Sequence, residues 1–147
     1  MSTIKKILLP VDFLKSNEEI AEHALYWAKA YGAEITVFHV LLPLSRYYHL
    51  GATSEFAIEV EGESQRLMDE FIEDMLNDPA VKVNSKIVQG DAANAIVAYA
   101  EENEIDLIIM TTYQRTDLGA FFIGSVANKV VKSVTPLVLT LRPVENM

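Results

Sequence analysis

The sequence has no cysteine and carries only 12 lysines and arginines against 21 aspartates and glutamates. Without cysteine the chain can form no disulfide framework, no thiol nucleophile and no cysteine-based metal site. The net charge of -9 disfavours nucleic acid as a direct partner, because binding to a phosphate backbone needs clustered lysine and arginine. The absence of cysteine is compatible with the cytoplasm, which is the location that we expect.

Long apolar runs are also missing. The run from Ile7 to Val11 follows two lysines and stops at Asp12, so it is too short for a signal segment and is typical of a buried strand. No other run approaches the roughly 20 residues of a membrane-spanning helix, and we expect no membrane partner. With 147 residues, half of them hydrophobic, the chain has the size of one domain, and we expect that domain to span residues 1–147.

Apolar runs and amphipathic segments alternate along the chain. The runs predict strands at residues 4–11, 34–42, 81–88, 107–110 and 137–141. Helical spacing predicts helices between Ser16 and Gly32, over 53–77, after Asp91 and over 125–133. Ser16 and Glu19 have the spacing of a capping box, Asp91 is the expected N-cap of its helix, and Gly32 is expected just after a helix end. This alternation predicts an α/β fold with a parallel sheet covered on both faces.

The segment from Met110 to Val130 has the succession of elements that forms an anion-binding site in α/β folds. An apolar strand ends at Met110, a loop with Gly119 and Gly124 follows, and a helical pattern begins at Ser125. The first N–H groups of a helix have no partner within it, and its dipole is positive at that end, so phosphate is favoured there. Because serine is a favoured N-cap, an ordinary helix start is the alternative interpretation.

The same segment resembles the universal stress protein family. In the nucleotide-binding branch of that family the fourth strand is followed by Gly, two residues, Gly, nine residues and then Gly-Ser or Gly-Thr. This chain has Gly124-Ser125-Val126 and the Arg115-Thr116 pair, with Thr111 and Gln114 at the first two glycine positions. The resemblance extends over residues 5–142.

The resemblance implies an open five-stranded parallel sheet of order 3-2-1-4-5, Rossmann-like and similar to the nucleotide alpha hydrolases. In such a sheet the ligand lies beyond the carboxyl ends of the strands, where the winding direction reverses, which here is between the first and fourth strands. Asp12 would therefore face the loop that follows Met110; the alternative is that Asp12 only ends the strand and caps the following turn.

The resemblance also implies residue roles. The position of Asp12 contacts adenine or its surroundings, the position of Val40 lines the base, and Gly124 and Ser125 contact phosphate. Val40 is also expected to be a core residue. The full set predicted to bind a nucleotide is Pro10, Val11, Asp12, Val40, Met110, Thr111, Gln114, Arg115, Gly124, Ser125 and Val126.

Thr111 and Gln114 depart from the glycine pattern. Threonine is poor at positive φ, so we expect the loop to follow another path or the phosphates to lie further out. The threonine hydroxyl and the glutamine amide can still form hydrogen bonds with ribose or phosphate, and Arg115 can pair with a phosphate.

Three functions remain open. The first is a cytoplasmic stress-response protein that binds ATP or AMP as a regulatory ligand. The alternative is a family member that has lost nucleotide binding and acts through contacts with protein partners, whose identity the sequence does not reveal. Weak ATP hydrolysis ranks last, because no water-activating base or metal-binding carboxylate pair accompanies Asp12. The histidines have no metal-ligand spacing, and His39 is interpreted as a buried histidine with a hydrogen-bond partner.

The last strand, residues 137–141, predicts a homodimer. It is apolar and uncharged, yet the strand order leaves it at a sheet edge, where open N–H and C=O groups invite pairing. Two copies related by a two-fold axis would pair it antiparallel with itself. The alternative is that residues 144–147 fold back over the edge.

Overall fold

The structure is a computed structural model, and it describes residues 3–13, 17–43, 45, 49, 51, 53–112 and 124–142. Within these residues five strands alternate with four helices. The elements, in chain order, are β1 Lys6–Pro10, α1 Glu18–Tyr31, β2 Glu34–Leu41, α2 Ser54–Met75, β3 Val83–Gln89, α3 Ala92–Glu102, β4 Leu107–Thr111, α4 Ser125–Ser133 and β5 Leu137–Leu141.

The strands form one open parallel sheet of order β3-β2-β1-β4-β5. This confirms the predicted α/β fold and its strand order. The lysine-bearing strand β3 lies at one edge and the apolar strand β5 at the other. The chain winds from β1 outward to β3 and then crosses to β4 on the other side of β1, so the winding reverses between β1 and β4.

Two apolar clusters cover the two faces of the sheet. Ile7 and Leu9 of β1 pack in the cluster that contains the buried residues of α1 together with Met68 and Phe71 of α2. Leu8, between them, packs in the cluster that contains the buried residues of α3 and α4. Because side chains alternate along a strand, this division shows that one pair of helices covers each face.

Two of the three predicted helix ends are confirmed by the structure, and one is wrong. Gly32 follows α1 in the left-handed conformation, with φ 68°, and the carboxylate of Asp91 accepts the N–H of Asn94 at 2.9 Å. The predicted capping box of Ser16 and Glu19 is wrong, since α1 begins at Glu18 and Asn17 occupies the N-cap position without a side-chain cap bond. Ser16 lies outside the described residues. The amide of Asn17 instead donates to the carbonyl of Asp12 at 3.1 Å.

Candidate functional site

The sheet opens at one end between β1 and β4. At the amino end the strands are tied together, because the carboxylate of Asp106 accepts the N–H groups of Lys5 and Lys6 at 2.9 and 3.0 Å. Among the described residues, the pairing of β1 with β4 then extends only as far as Leu8 with Ile108.

Each of these strands stays bound to its other neighbour beyond that point. The N–H of Val11 donates to Phe38 of β2 at 2.9 Å, and the N–H of Thr112 donates to Leu141 of β5 at 2.9 Å. The carboxyl ends of β1 and β4 therefore separate at the position where the winding reverses, and we call the opening between them the cleft. This is the usual place for a ligand in an open α/β sheet.

The β1 side of the cleft contains three of the predicted residues. Pro10 is half-buried and ends the strand, paired with Phe38. Val11 is 7% exposed and packs in the cluster of α1 and α2. Asp12 is exposed and immediately follows. Of the three, only Asp12 presents an exposed polar side chain at the strand end.

The β4 side contains Met110 and Thr111. Met110 is 5% exposed and packs in the cluster of α3 and α4, whereas Thr111 is half-buried and pairs with Leu141 as the last residue of the strand. Among described residues other than glycine, only Glu104 has a positive φ. As the last residue of β4, Thr111 is in an extended conformation that suits a β-branched residue. Gln114 and Arg115 lie outside the described residues.

The N-terminus of α4 follows the undescribed part of the loop. Gly124 occupies the N-cap position with φ -60° and ψ 155°, and it has no side chain with which to cap the helix. Any residue can adopt these angles, so conformational strain does not explain glycine here. What glycine does provide is room for a group to approach the backbone closely.

The charge at this helix end favours an anion. The first turn of α4 has no acidic residue, and Ser125 at its first position is exposed. The first N–H groups of a helix point out of its end and coincide with the positive end of the dipole. This arrangement can bind a phosphate through backbone donors.

The structure brings three of the predicted apolar residues into one cluster. Val40 of β2, Met110 of β4 and Val126 of α4 all pack on the face covered by α3 and α4, and Val40 and Val126 are half-buried. Val11, in contrast, belongs to the opposite face. Val40 is thus partly in the core, as expected, and retains some exposed surface.

Sequence reasoning missed two residues that contact the strand end of β1. The Nδ1 atom of His39 lies 2.8 Å from the carbonyl oxygen of Val11. This confirms that the ring has a hydrogen-bond partner, although the residue is half-buried rather than buried. Asn17 bonds the next carbonyl, that of Asp12. No signal in the sequence indicates either contact, because each depends on how the residues that follow β1 pack against β2 and the start of α1.

The described groups with shifted pKa values lie away from the cleft. Within α2, hydrogen bonding to Arg66 lowers the pKa of Glu63, and pairing with Glu63 and Glu70 raises the pKa of Arg66. Hydrogen bonds from Lys29 and from the N–H of Ala80 lower the pKa of the Asp78 carboxyl. These shifts come from local ion pairs at the surface.

An open recess of about 420 Å³ lies elsewhere, between the C-terminal part of α2 and the start of β3. Its lining includes Ile72, Leu76, Val81 and the paired carboxylate Asp78. The recess lies on the other side of the β2 strand from the cleft, and it does not include any residue predicted to bind a nucleotide. The strand opening, in contrast, is defined by the end of the β1–β4 pairing and by backbone hydrogen bonds on both of its sides.

In the parts of the chain that the structure describes, no group of three or more histidine, aspartate or glutamate side chains could hold a metal ion. No helix formed by those same residues combines the length and the apolar character needed to span a membrane.

Residues 3–142 match the family model described as the Universal stress protein family. The chain belongs to this family. A universal stress protein of Methanocaldococcus jannaschii is 32% identical over 143 residues, which are 95% of this chain and 83% of that protein. The family resemblance stated from the sequence is thereby confirmed.

Solved structures of family members have the same fold. The structure of a second universal stress protein of Methanocaldococcus jannaschii superposes with a TM-score of 0.82 at 26% identity. The match covers 99% of this chain and 100% of the other. A universal stress protein solved in complex with cAMP has a TM-score of 0.68 and 19% identity, covering 96% and 98%. One from Archaeoglobus fulgidus in complex with dAMP has a TM-score of 0.65 and 19% identity, covering 95% and 98%.

Proposed function

We propose that this universal stress protein is a cytoplasmic homodimer that binds an adenine nucleotide, ATP or AMP, as a regulatory ligand. The ligand occupies the cleft between the carboxyl ends of β1 and β4. The observation that carries this proposal is the end of the pairing between β1 and β4 at Leu8 and Ile108, and α4 is the helix that follows β4 in the chain.

Chemistry at the two sides of the cleft supports an adenine nucleotide. The exposed carboxylate of Asp12 can accept a hydrogen bond from a ribose hydroxyl or from the exocyclic amine of adenine. The partly exposed side chain of Val40 offers an apolar surface to the base. At the other side, Gly124 and Ser125 present helix N–H groups to phosphate.

Two family members with this fold were solved with cAMP and with dAMP, which are both adenine nucleotides. This agreement supports the same ligand class for the present chain. The residues Thr111, Gln114 and Arg115 would then contact the ribose or the phosphates through side chains, because glycines are absent from the first two loop positions.

The second candidate is a family member that does not bind nucleotide and acts through protein partners. Thr111 favours it, because the residue continues β4 in an extended conformation where nucleotide-binding relatives have a glycine.

Native mass spectrometry of protein purified without added nucleotide separates the two candidates. We expect a co-purified mass that matches an adenine nucleotide and that disappears in Gly124→Val. Protein without such a mass, combined with no heat of binding for ATP or AMP in calorimetry, would support the second candidate.

A further inference from the structure

The backbone on both sides of Asp12 is held by hydrogen bonds to other parts of the chain. The carbonyl of Val11 lies 2.8 Å from Nδ1 of His39, and the carbonyl of Asp12 accepts from the amide of Asn17 at 3.1 Å. The N–H of Val11 is bonded to Phe38. Consecutive peptide groups around Asp12 therefore have partners from β2 and from the N-cap of α1.

A ring contact adds a fourth attachment point. The ring of Phe13 lies 4.6 Å from the ring of His39, measured between centroids, and both residues are half-buried. On the other side, Pro10 has its φ restricted by its own ring. Asp12 is thus the exposed residue in a segment whose neighbours are anchored on both sides.

We propose that His39 and Asn17 are positioning residues that hold Asp12 in place at the mouth of the cleft. This inference rests on the proposed nucleotide site. Fixing the backbone of a residue has an entropic cost, and a segment fixed on folding does not incur that cost again when ligand binds. His39 and Asn17 would therefore raise nucleotide affinity without touching the nucleotide.

The hydrogen bond to the Val11 carbonyl determines which ring nitrogen of His39 carries a proton. A carbonyl oxygen only accepts, so Nδ1 carries the proton in the bond to Val11. The neutral ring is then the Nδ1–H tautomer.

A matched pair of variants separates positioning from packing. His39→Leu introduces an apolar side chain of similar size that has no hydrogen-bond donor. In His39→Asn the amide nitrogen lies near the place of Nδ1 and can donate to the same carbonyl. We expect His39→Leu to bind ATP about tenfold more weakly and His39→Asn to stay within about threefold of the wild type, with both folded by circular dichroism.

A double-mutant cycle with Asp12→Ala tests whether His39 acts through Asp12. In the Asp12→Ala background, His39→Leu should change the affinity by less than about twofold. An equal loss in both backgrounds, or a His39→Asn variant as weak as His39→Leu, would overturn the proposal. Asn17→Ser, which keeps a favourable N-cap residue but is too short to reach the Asp12 carbonyl, should behave like His39→Leu.

Amide hydrogen exchange of the nucleotide-free protein tests the same contacts independently of ligand. His39→Leu should accelerate exchange at Asp12 and Phe13, whereas His39→Asn should not, and unchanged exchange in His39→Leu would overturn the positioning role. If the wild type binds no nucleotide, the proposed function fails together with the affinity effect. Exchange still decides whether His39 fixes the segment.

Discussion

The N–H of Thr112 donates to the carbonyl of Leu141 at 2.9 Å, one residue beyond the last residue of β4. Strand β4 is therefore held to β5 for its full length, although its pairing with β1 has ended at Ile108. The cleft is bordered by two strands that are each fixed by an outer neighbour. It can remain open without leaving either strand unsupported.

Gly124→Val should abolish nucleotide binding and leave the fold intact. The φ and ψ of Gly124 suit a β-branched residue, so α4 can still form, while the new side chain lies where phosphates approach. We expect ATP affinity to fall at least about hundredfold, or about 2.7 kcal/mol, by calorimetry. Gly62→Val is the matched control, because a Cβ at Gly62 meets no atom within 4 Å beyond its chain neighbours and the nearby backbone of its own helix. Equal affinity in Gly124→Val and the wild type would rule out this site.

Replacing Thr111 and Gln114 together by glycine should strengthen the binding of ATP more than that of adenosine. Glycine at these positions lets backbone N–H groups approach the phosphates, which adenosine lacks. We expect ATP to bind about 1–2 kcal/mol more tightly, or roughly five- to thirty-fold, for newly formed charge-assisted bonds. Because glycine weakens a strand end, the melting temperature should fall slightly. The same gain for both ligands would show that the loop residues do not affect phosphate binding.

We expect a homodimer through β5, with Leu137→Lys giving a monomer in light scattering at micromolar concentration. Leu137 is 64% exposed at a sheet edge, so its replacement by lysine disturbs the proposed interface and leaves the core unchanged. Val138→Lys and Leu139→Pro should have the same effect, but both residues pack against the core and require a check of the fold.

Ile58→Lys is the control for the dimer, because Ile58 is 68% exposed on α2 and away from that edge. A monomeric wild type at high micromolar concentration would contradict the interface.

Asp78→Asn should lower stability at neutral pH and have little effect in acid. Bonds from Lys29 and from the N–H of Ala80 hold the pKa of Asp78 below its ordinary value of 3.8. A carboxyl with a lowered pKa stabilises the folded state above its unfolded pKa, and this contribution is lost as pH falls through the folded pKa. The gap in urea midpoint between wild type and Asp78→Asn should therefore be present at pH 6 and narrow well below pH 3.8.

Asp74→Asn provides the comparison for Asp78→Asn, since Asp74 is exposed near the same end of α2. A gap in midpoint for Asp78→Asn that does not depend on pH would exclude the ion pair as its cause.

The strands and their order could be predicted from the sequence because buried strands are apolar runs and the family resemblance supplies the topology. The predicted strand boundaries were less accurate where a residue is buried but its backbone does not bond to a neighbouring strand. Val81 is only 8% exposed, yet its N–H bonds the carbonyl of Asp78 in a turn and β3 begins at Val83. An apolar pattern reports burial, and it does not report which backbone groups form a ladder.

The topology of the sheet predicts that Asp12 and Gly124 lie at the same end of β1 and β4. The contact of His39 with Val11 could not be predicted, because it depends on the register that pairs Pro10 with Phe38. A single sequence does not determine that register. The role of Asn17 was missed for a different reason, since its side chain bonds the preceding turn instead of capping α1.

The most direct test of the proposed cleft is a titration of ¹⁵N-labelled protein with ATP, followed through the backbone amide signals. We predict that the largest shifts occur at Asp12, Thr112, Gly124, Ser125 and Val126. The amides of Leu76, Val81 and Val83, which line the recess beside α2, should stay unchanged. Shifts concentrated at that recess, or no shifts at millimolar ATP, would contradict the account.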